Sequence, residues 1–160
     1  MKKKLLAMVL TLALLPVISL SAGALEPQDF AGGSLSGLAA DKNALLVTDT
    51  FNKIIWRVEN DAVTRWAGKP GVADLHGEPS GAYVDAKLDE ARFMEPWAIA
   101  PYLDGYAVTD TAANVVRYID GKTVRTAAGS GVKGQTNGSG ATVSFARPTG
   151  LAAGADGELY

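Results

Sequence analysis

The chain has 160 residues, 48% of them apolar and 20% charged, with a mean hydropathy of +0.09 and no cysteine. That length excludes a complete (β/α)₈ barrel, which needs roughly 250 residues, and a closed ring of four or more four-stranded blades at roughly 40–50 residues each. The formal charge is −2, and once the three lysines at positions 2 to 4 are set aside, twelve basic residues face seventeen acidic ones, a balance of −5 that does not suit nucleic acid.

Lys2, Lys3 and Lys4 open the chain, an apolar run from Leu5 to Leu15 follows, and Pro16 precedes the small-residue stretch Ser19-Leu20-Ser21-Ala22-Gly23-Ala24. This is the order of an export signal, with Ala22-Gly23-Ala24 fitting the A-x-A cleavage rule, so residues 1–24 are expected to be removed. Leu5 to Leu20 is short of the roughly 20 residues of a membrane-crossing helix, and no membrane span is expected after removal. The mature chain is then secreted, displayed at the cell surface or periplasmic. Without a disulfide framework its stability comes from packing alone.

After a lead-in over residues 25–34, no segment sustains a 3.6-residue apolar period, and short apolar runs recur between Gly, Asp, Asn and Pro. Seven runs have strand length and β-branched or aromatic content. In chain order they are Leu45–Thr48, Ile54–Val58, Ala62–Trp66, Trp97–Ala100, Tyr106–Thr109, Val115–Ile119 and Thr123–Thr126. Asp120-Gly121 predicts a two-residue type I′ hairpin turn, and Asn60-Asp61 holds the same place earlier. Between the third and fourth runs, Ala86 to Arg92 reads as a short solvated turn of helix. The fold class is all-β.

The runs belong to a repeat. Val47-Thr48-Asp49-Thr50 recurs as Val108-Thr109-Asp110-Thr111, and Ala67-Gly68 as Ala128-Gly129, both 61 residues on. Ser36-Gly37-Leu38-Ala39 matches Trp97-Ala98-Ile99-Ala100 at the same offset, and then Thr149-Gly150-Leu151-Ala152 at 52. Phe93-Met94-Glu95-Pro96 likewise becomes Phe145-Ala146-Arg147-Pro148 at 52. Four landmarks in constant order, with length variation confined to the connections, mark repeating structural units. The equivalent apolar residues Val47, Ile55, Ile99, Val108, Val116 and Leu151 are expected to be buried.

These landmarks resemble the NHL-repeat β-propellers, whose pattern runs F-x-x-P-x-G-[IL]-A, D-G-x-[LI]-Y-V-A-D-T-x-N, I-R-x-[IV] and a Gly-rich turn. Phe93, Pro96, Ile99, Asp104, Gly105, Val108, Asp110, Thr111, Asn114, Val116 and Arg117 follow it in one unit. Val47, Asp49, Thr50, Asn52 and Ile55 follow it in the unit before. That earlier unit departs from the pattern with Leu35 in place of Pro and Trp56 in place of Arg. The resemblance implies a partial β-propeller of four-stranded blades over residues 35–160, with units at about 35–92 and 93–144 and an incomplete one at 145–160. Asp156-Gly157-Glu158-Leu159-Tyr160 stops short of the Val-Ala-Asp-Thr that the pattern continues with, as expected of a piece of a longer exported protein completed by further blades of the same propeller.

Several residues invite a chemical reading. Asp49 with Asn52, and Asp110 with Asn114, follow equivalent strands; they suit turn formation, or a ring of carboxylates and amides at one mouth of the propeller. Their recurrence favours the turn role, because a site is usually made by residues that differ between blades. His76 is the only histidine and sits in the longest irregular stretch, Gly68 to Arg92; with no second His and no Cys it lacks the co-ligands of a zinc site. The resemblance implies that amidating lyases of this propeller class use a multi-histidine zinc site, and nothing in this chain carries that over. Asp89-Glu90 are sequence neighbours that do not converge on a substrate. The serines lack a G-x-S-x-G turn, and the Gly-rich run Gly129 to Gly140 lacks the G-K-[ST] of a phosphate loop, reading instead as an interblade linker with a turn at Asn137-Gly138. Trp56, Trp66 and Trp97 fall in strands, which leaves Tyr83 and Tyr102 as the exposed aromatic candidates.

The expectation is a binding or scaffolding module, exported, with a protein, glycan or small molecule as partner and no evident cofactor or metal. The alternative is a fragment of a propeller enzyme of lyase or lactone hydrolase type, its metal ligands lying in further sequence.

Overall fold

The computed structural model describes residues 33–160 apart from Asp61. The export signal, its cleavage point and most of the lead-in lie outside the described residues. The described chain is all-β. Its elements are two antiparallel sheets arranged as partial propeller blades, joined and followed by irregular connections.

The first sheet has the order β1-β2-β3-β4, from β1 (Leu35–Asp41), β2 (Ala44–Asp49), β3 (Ile54–Glu59) and β4 (Ala62–Ala67). The second has the order β5-β9-β8-β7-β6, from β5 (Ala86–Lys87), β6 (Pro96–Tyr102), β7 (Gly105–Asp110), β8 (Val115–Ile119) and β9 (Thr123–Ala128). All seven strand-sized runs are strands. β1, visible in the sequence only through its likeness to β6, adds an eighth. Two-residue strand β5 pairs Ala86 with Val124 and Lys87 with Thr123, so the second blade has five strands rather than four. Of the expected solvated helical turn over Ala86–Arg92, Ala86 and Lys87 instead form β5, and a single turn follows in which the Lys87 carbonyl accepts the Glu90 and Ala91 N–H groups; it leaves Asp89 and Glu90 exposed, buries Ala91 fully and packs Leu88 on the core.

Tight loops close one end of each blade. Asp41 pairs with Ala44, Glu59 with Ala62 and Tyr102 with Gly105, each across two residues, and Lys42, Asn60 and Leu103 take the left-handed backbone such loops require. In the fourth hairpin the positive φ falls on Gly121 alone, so the turn is not type I′; it is shaped by the Asp120 carboxylate, which accepts N–H groups from Lys122 and Thr123. At the opposite end the chain leaves each blade through Gly68 or Gly129, at φ +99° and +109°. A Cβ there would come within 2.8 Å of the Lys53 carbonyl or 2.7 Å of the Asn114 carbonyl, so glycine is required twice in the same place.

The equivalence extends to burial, since β2 and β7 share one pattern in which only the second residue is partly exposed. Their side chains pack on both faces, which accounts for an apolar run with little alternation. Between the blades, Ala39, Leu46, Ile55 and Ala67 meet Phe93, Ile99, Val108, Ile119 and Val124 in one core. Trp66 stands edge-on to Tyr106 with ring centroids 5.8 Å apart, and the Tyr106 hydroxyl donates to the Ala40 carbonyl at 3.2 Å. Of the six aliphatic residues expected to be buried, Val47, Ile55, Ile99, Val108 and Val116 are, whereas Leu151 is only half-buried. Around Leu151 the chain forms no strand. It turns back in a small hairpin in which Ala152 and Tyr160 exchange backbone bonds and Ala153 bridges Leu159.

Candidate functional site

The repeated aspartates come first, because everything at the open end is hung on them. Asp49 is fully buried at the end of β2 and accepts N–H groups from Ser34 at 3.1 Å and Asn52 at 3.0 Å, the Asn52 amide at 2.8 Å and the Trp56 indole at 2.8 Å. Asp110, equally buried at the end of β7, accepts from Met94 at 3.0 Å, Glu95 at 2.7 Å and the Arg117 guanidinium at 3.2 Å. Each carboxylate thus pins the chain entering its blade to the second strand. Burial pushes Asp110 above the ordinary carboxylate range, while the Glu95 N–H, Arg117 and the Met94 N–H pull it back. With every lone pair directed at the fold, neither aspartate is free to hold a ligand at a propeller mouth.

The threonines that follow join one unit to the next. Thr50 donates to the Pro96 carbonyl at 3.1 Å and Thr111 to the Pro148 carbonyl at 2.6 Å. The two asparagines do different work. Asn52 bonds Asp49, but Asn114 is the structural equivalent of Lys53: both take left-handed backbone at φ 55° and 61°, and the Asn114 side chain accepts the Arg147 N–H at 3.0 Å.

The residue at position 56 or 117 separates the blades. Arg117 is fully buried although it lies in a central strand. Its Nη1 reaches Asp110 and the Arg92 carbonyl, and its Nη2 reaches Asp85 at 2.6 Å and the Val84 carbonyl at 2.9 Å. It also lies 5.1 Å from the Tyr83 ring centre and 5.2 Å from that of Phe93, within cation–π range. Arg117 therefore fastens the end of the connection, residues 83–92, across the second blade. Tyr83 is 43% exposed, yet its hydroxyl is bonded to Thr126 at 2.6 Å, so it belongs to this fastening rather than to a free aromatic surface. Tyr102, half-buried, stands edge-on to Tyr118 at 6.0 Å on the other side of the blade, away from Tyr83.

The rest of the connection, residues 68–82, builds the concavity. Gly71 and Ser80 pair, Ser80 donates to Val72 and Asp74 pairs with Glu78, making a small projecting hairpin. His76 sits at its exposed tip, where its N–H is held by the Asp74 carboxylate at 2.8 Å. Lys53, buried in the first blade, anchors the hairpin through Glu78 at 2.7 Å. Beneath the hairpin lies a groove of about 570 Å³ lined by Lys69, Pro70, Gly71, Val72, Ser80, Glu90 and Arg92. Of the residues singled out in the sequence only Glu90 lines it, and the sequence sets it aside with its neighbour Asp89. The signal that could have found it is the length difference between connections: the repeat offset drops from 61 to 52 residues, so the first connection carries nine extra residues.

Among the described residues no three His, Cys, Asp or Glu side chains are grouped as a metal site requires, and no helix is long and apolar enough to cross a membrane. No family model matches the chain, and none of the curated proteins matches it. It is similar in structure to a structural genomics protein of unknown function from Bacteroides thetaiotaomicron, with a TM-score of 0.56 and 19% identity over 69% of this chain. The chain spans 27% of that protein's length. At that identity the likeness speaks to the fold alone.

Proposed function

We propose that the chain is an exported, NHL-type propeller segment that binds a small molecule, glycan or protein segment through the connection between its two sheets. The observation that carries this reading is the groove, because it joins the nine-residue insertion to charged side chains that the second connection lacks at the matching places. Repeated positions are committed to pinning the blades, and backbone bonding recurs even in the connections, Lys69 to Ala91 as Ser130 to Val143. But Lys69, Glu90 and Arg92 stand where the second connection has Ser130, Thr142 and Ser144, so the charges belong to the first alone. A volume of about 570 Å³ falls within the range of sites for small ligands, and loops set on a rigid sheet scaffold are where binding residues collect. Export is supported by the basic, apolar and small-residue order of residues 1–24. The NHL assignment is supported by the landmark order around Asp49 and Asp110.

The test is a thermal-shift screen of the full chain against oligosaccharides, small metabolites and short peptides, followed by amide mapping of each ligand that raises the melting temperature. A stabilising ligand whose contacts fall on residues 69–92 is expected. A ligand held only at the tight-hairpin end, or one converted to product on incubation, would overturn the reading.

A further inference from the structure

The groove has a definite charge pattern, and from it we infer the class of ligand it takes: a small organic carboxylate with an apolar face, of the size of a sugar acid or an aromatic acid. The inference rests on the binding reading above and makes it specific. Two cationic side chains, Lys69 and Arg92, line the groove together with the Ser80 hydroxyl, and Pro70 and Val72 give it an apolar wall. Val72 is 87% exposed, so this wall presents free apolar surface.

The two cations differ in how they are held. Arg92 is fixed: its Nη2 donates to the Ser80 carbonyl at 3.0 Å, and its backbone exchanges bonds with Val84. That guanidinium is under-used by the protein, since its Nε is buried without an acceptor and its Nη1 has none among the described residues. Lys69 is instead held by a single exposed ion pair. Its ammonium meets the Glu90 carboxylate at 2.7 Å, with the two side chains 50% and 57% exposed. Exposed ion pairs of this kind are weak and exchange readily. Glu90 thus occupies the position that an incoming carboxylate would take, and a ligand acid displacing it exchanges one carboxylate for another on Lys69 while gaining Arg92 and the apolar wall. A neutral ligand has no such exchange to make and leaves the Lys69–Glu90 pair in place.

This arrangement predicts a gain of binding on removing an acid. Glu90→Gln takes away both the internal competitor and a like charge beside the ligand, and carboxylate affinity should rise about two- to fivefold. Lys69→Gln should lower it by a similar factor. Both side chains are exposed, so neither change disturbs the fold.

The experiment is a nuclear magnetic resonance titration of the full chain with sodium glucuronate, sodium phenylacetate and glucose, reading the amides of Lys69, Gly71, Val72 and Ser80. Shifts with one or both acids, weakened by added salt, weakened by Lys69→Gln and strengthened by Glu90→Gln, are expected; which acid is the tighter distinguishes a sugar acid from an aromatic acid. Glucose binding equally well, with no response to either variant, would overturn the carboxylate inference and leave the groove as a binding site. Absence of shifts at these amides with both acids would also overturn it, whatever the wider screen finds. Acid binding in which Glu90→Gln gives no gain would show that the Lys69–Glu90 pair is not what the ligand displaces, and would overturn it too.

Discussion

The two blades share a frame and differ at one decisive place. In the first, the carboxylate at the end of the second strand receives an indole N–H from Trp56; in the second, the matching carboxylate receives a guanidinium from Arg117. An indole has a single donor and is satisfied by Asp49. A guanidinium has five, and Arg117 uses three of the four left over to hold Val84, Asp85 and Arg92, its buried Nε alone meeting no acceptor. Among the described residues the equivalent strands β3 and β8 also differ in burial. Every residue of β8 is buried, whereas Trp56, Arg57 and Glu59 of β3 are partly exposed. The repeated aspartate is therefore architecture, and in the second blade the residue that pairs with it also straps the connection to the sheet.

The largest effect is expected where that difference is removed. Arg117→Met should cost about 3–5 kcal/mol in chemical denaturation, because it strips the cation from the buried Asp110 carboxylate. Arg117→Trp, which copies the first blade, should recover little of this, since one indole N–H cannot also serve Asp85 and the Val84 carbonyl. Full recovery would mean that the strap contributes nothing. By contrast Trp56→Phe removes one hydrogen bond from a carboxylate that keeps three other donors, and about 1–3 kcal/mol is expected.

Phe93 tests whether the strap and the blades share one core. It is fully buried among residues of both sheets and lies beneath Arg117. Phe93→Ala should lower stability by about 3–5 kcal/mol, with loss of the cross-blade contact between the Trp66 and Tyr106 rings. Loss of stability with that ring contact intact would place Phe93 outside the shared core. Ile99→Ala, at the inner edge of the same cluster, should cost about 2–4 kcal/mol.

Smaller effects attach to the seams between units. Thr111→Val deletes the hydroxyl bond to the Pro148 carbonyl, while Thr50→Val deletes the bond to the Pro96 carbonyl and also the one shared with the Ser36 hydroxyl; a loss of about 0.5–1.5 kcal/mol is expected for each bond. The Thr50 change should be the larger, because its partner Pro96 is itself buried in β6, whereas Pro148 precedes a hairpin outside both sheets. Equal values would show that the outer unit is as firmly seated as the blades.

At neutral pH the tyrosines contribute no pH dependence, but they should do so in alkali. Tyr106, through burial and then through Asp41, and Tyr118, through its bond to Asp104 and then burial, are both pushed up to about 12. A raised folded value means that stability is fully present below the ordinary tyrosine value of about 10 and is lost as pH rises from there toward about 12. Melting temperature should therefore be flat in this respect up to pH 10 and fall beyond it, together with the tyrosinate absorbance. Phenylalanine at both positions should remove that part of the fall.

Much of this frame was legible in the sequence because its signals are local or periodic. The strands announce themselves by β-branched runs between turn residues, and the 61-residue offset aligns Asp49 with Asp110 and Gly68 with Gly129. What could not be read was partnership across the chain. Arg117 looks like any solvent-facing arginine in a strand, and nothing nearby shows that Asp85 and Arg92 will close over it. β5 escaped notice for a related reason: two residues, Ala86 and Lys87, carry no period, and they become a strand only because β9 offers an unpaired edge. Asn114 was matched with Asn52 by residue type, but backbone geometry pairs it with Lys53, since the left-handed position tolerates either. Lys69, Glu90 and Arg92 read as ordinary surface charges, Glu90 as half of an acid pair with no common target, until the connection folds back and brings all three to the lining of one groove.

The claim that Arg117 straps the connection between the sheets to the second blade is tested most directly by a double-mutant cycle. Arg117→Met, Asp85→Ala and the double variant would be compared with the unmodified chain in chemical denaturation. Residues 32 positions apart that touch at 2.6 Å should couple by about 1–3 kcal/mol, the double variant losing less than the two single changes together. Additivity to within about 0.5 kcal/mol would contradict the account, because the connection would then be held independently of the residue that distinguishes the two blades.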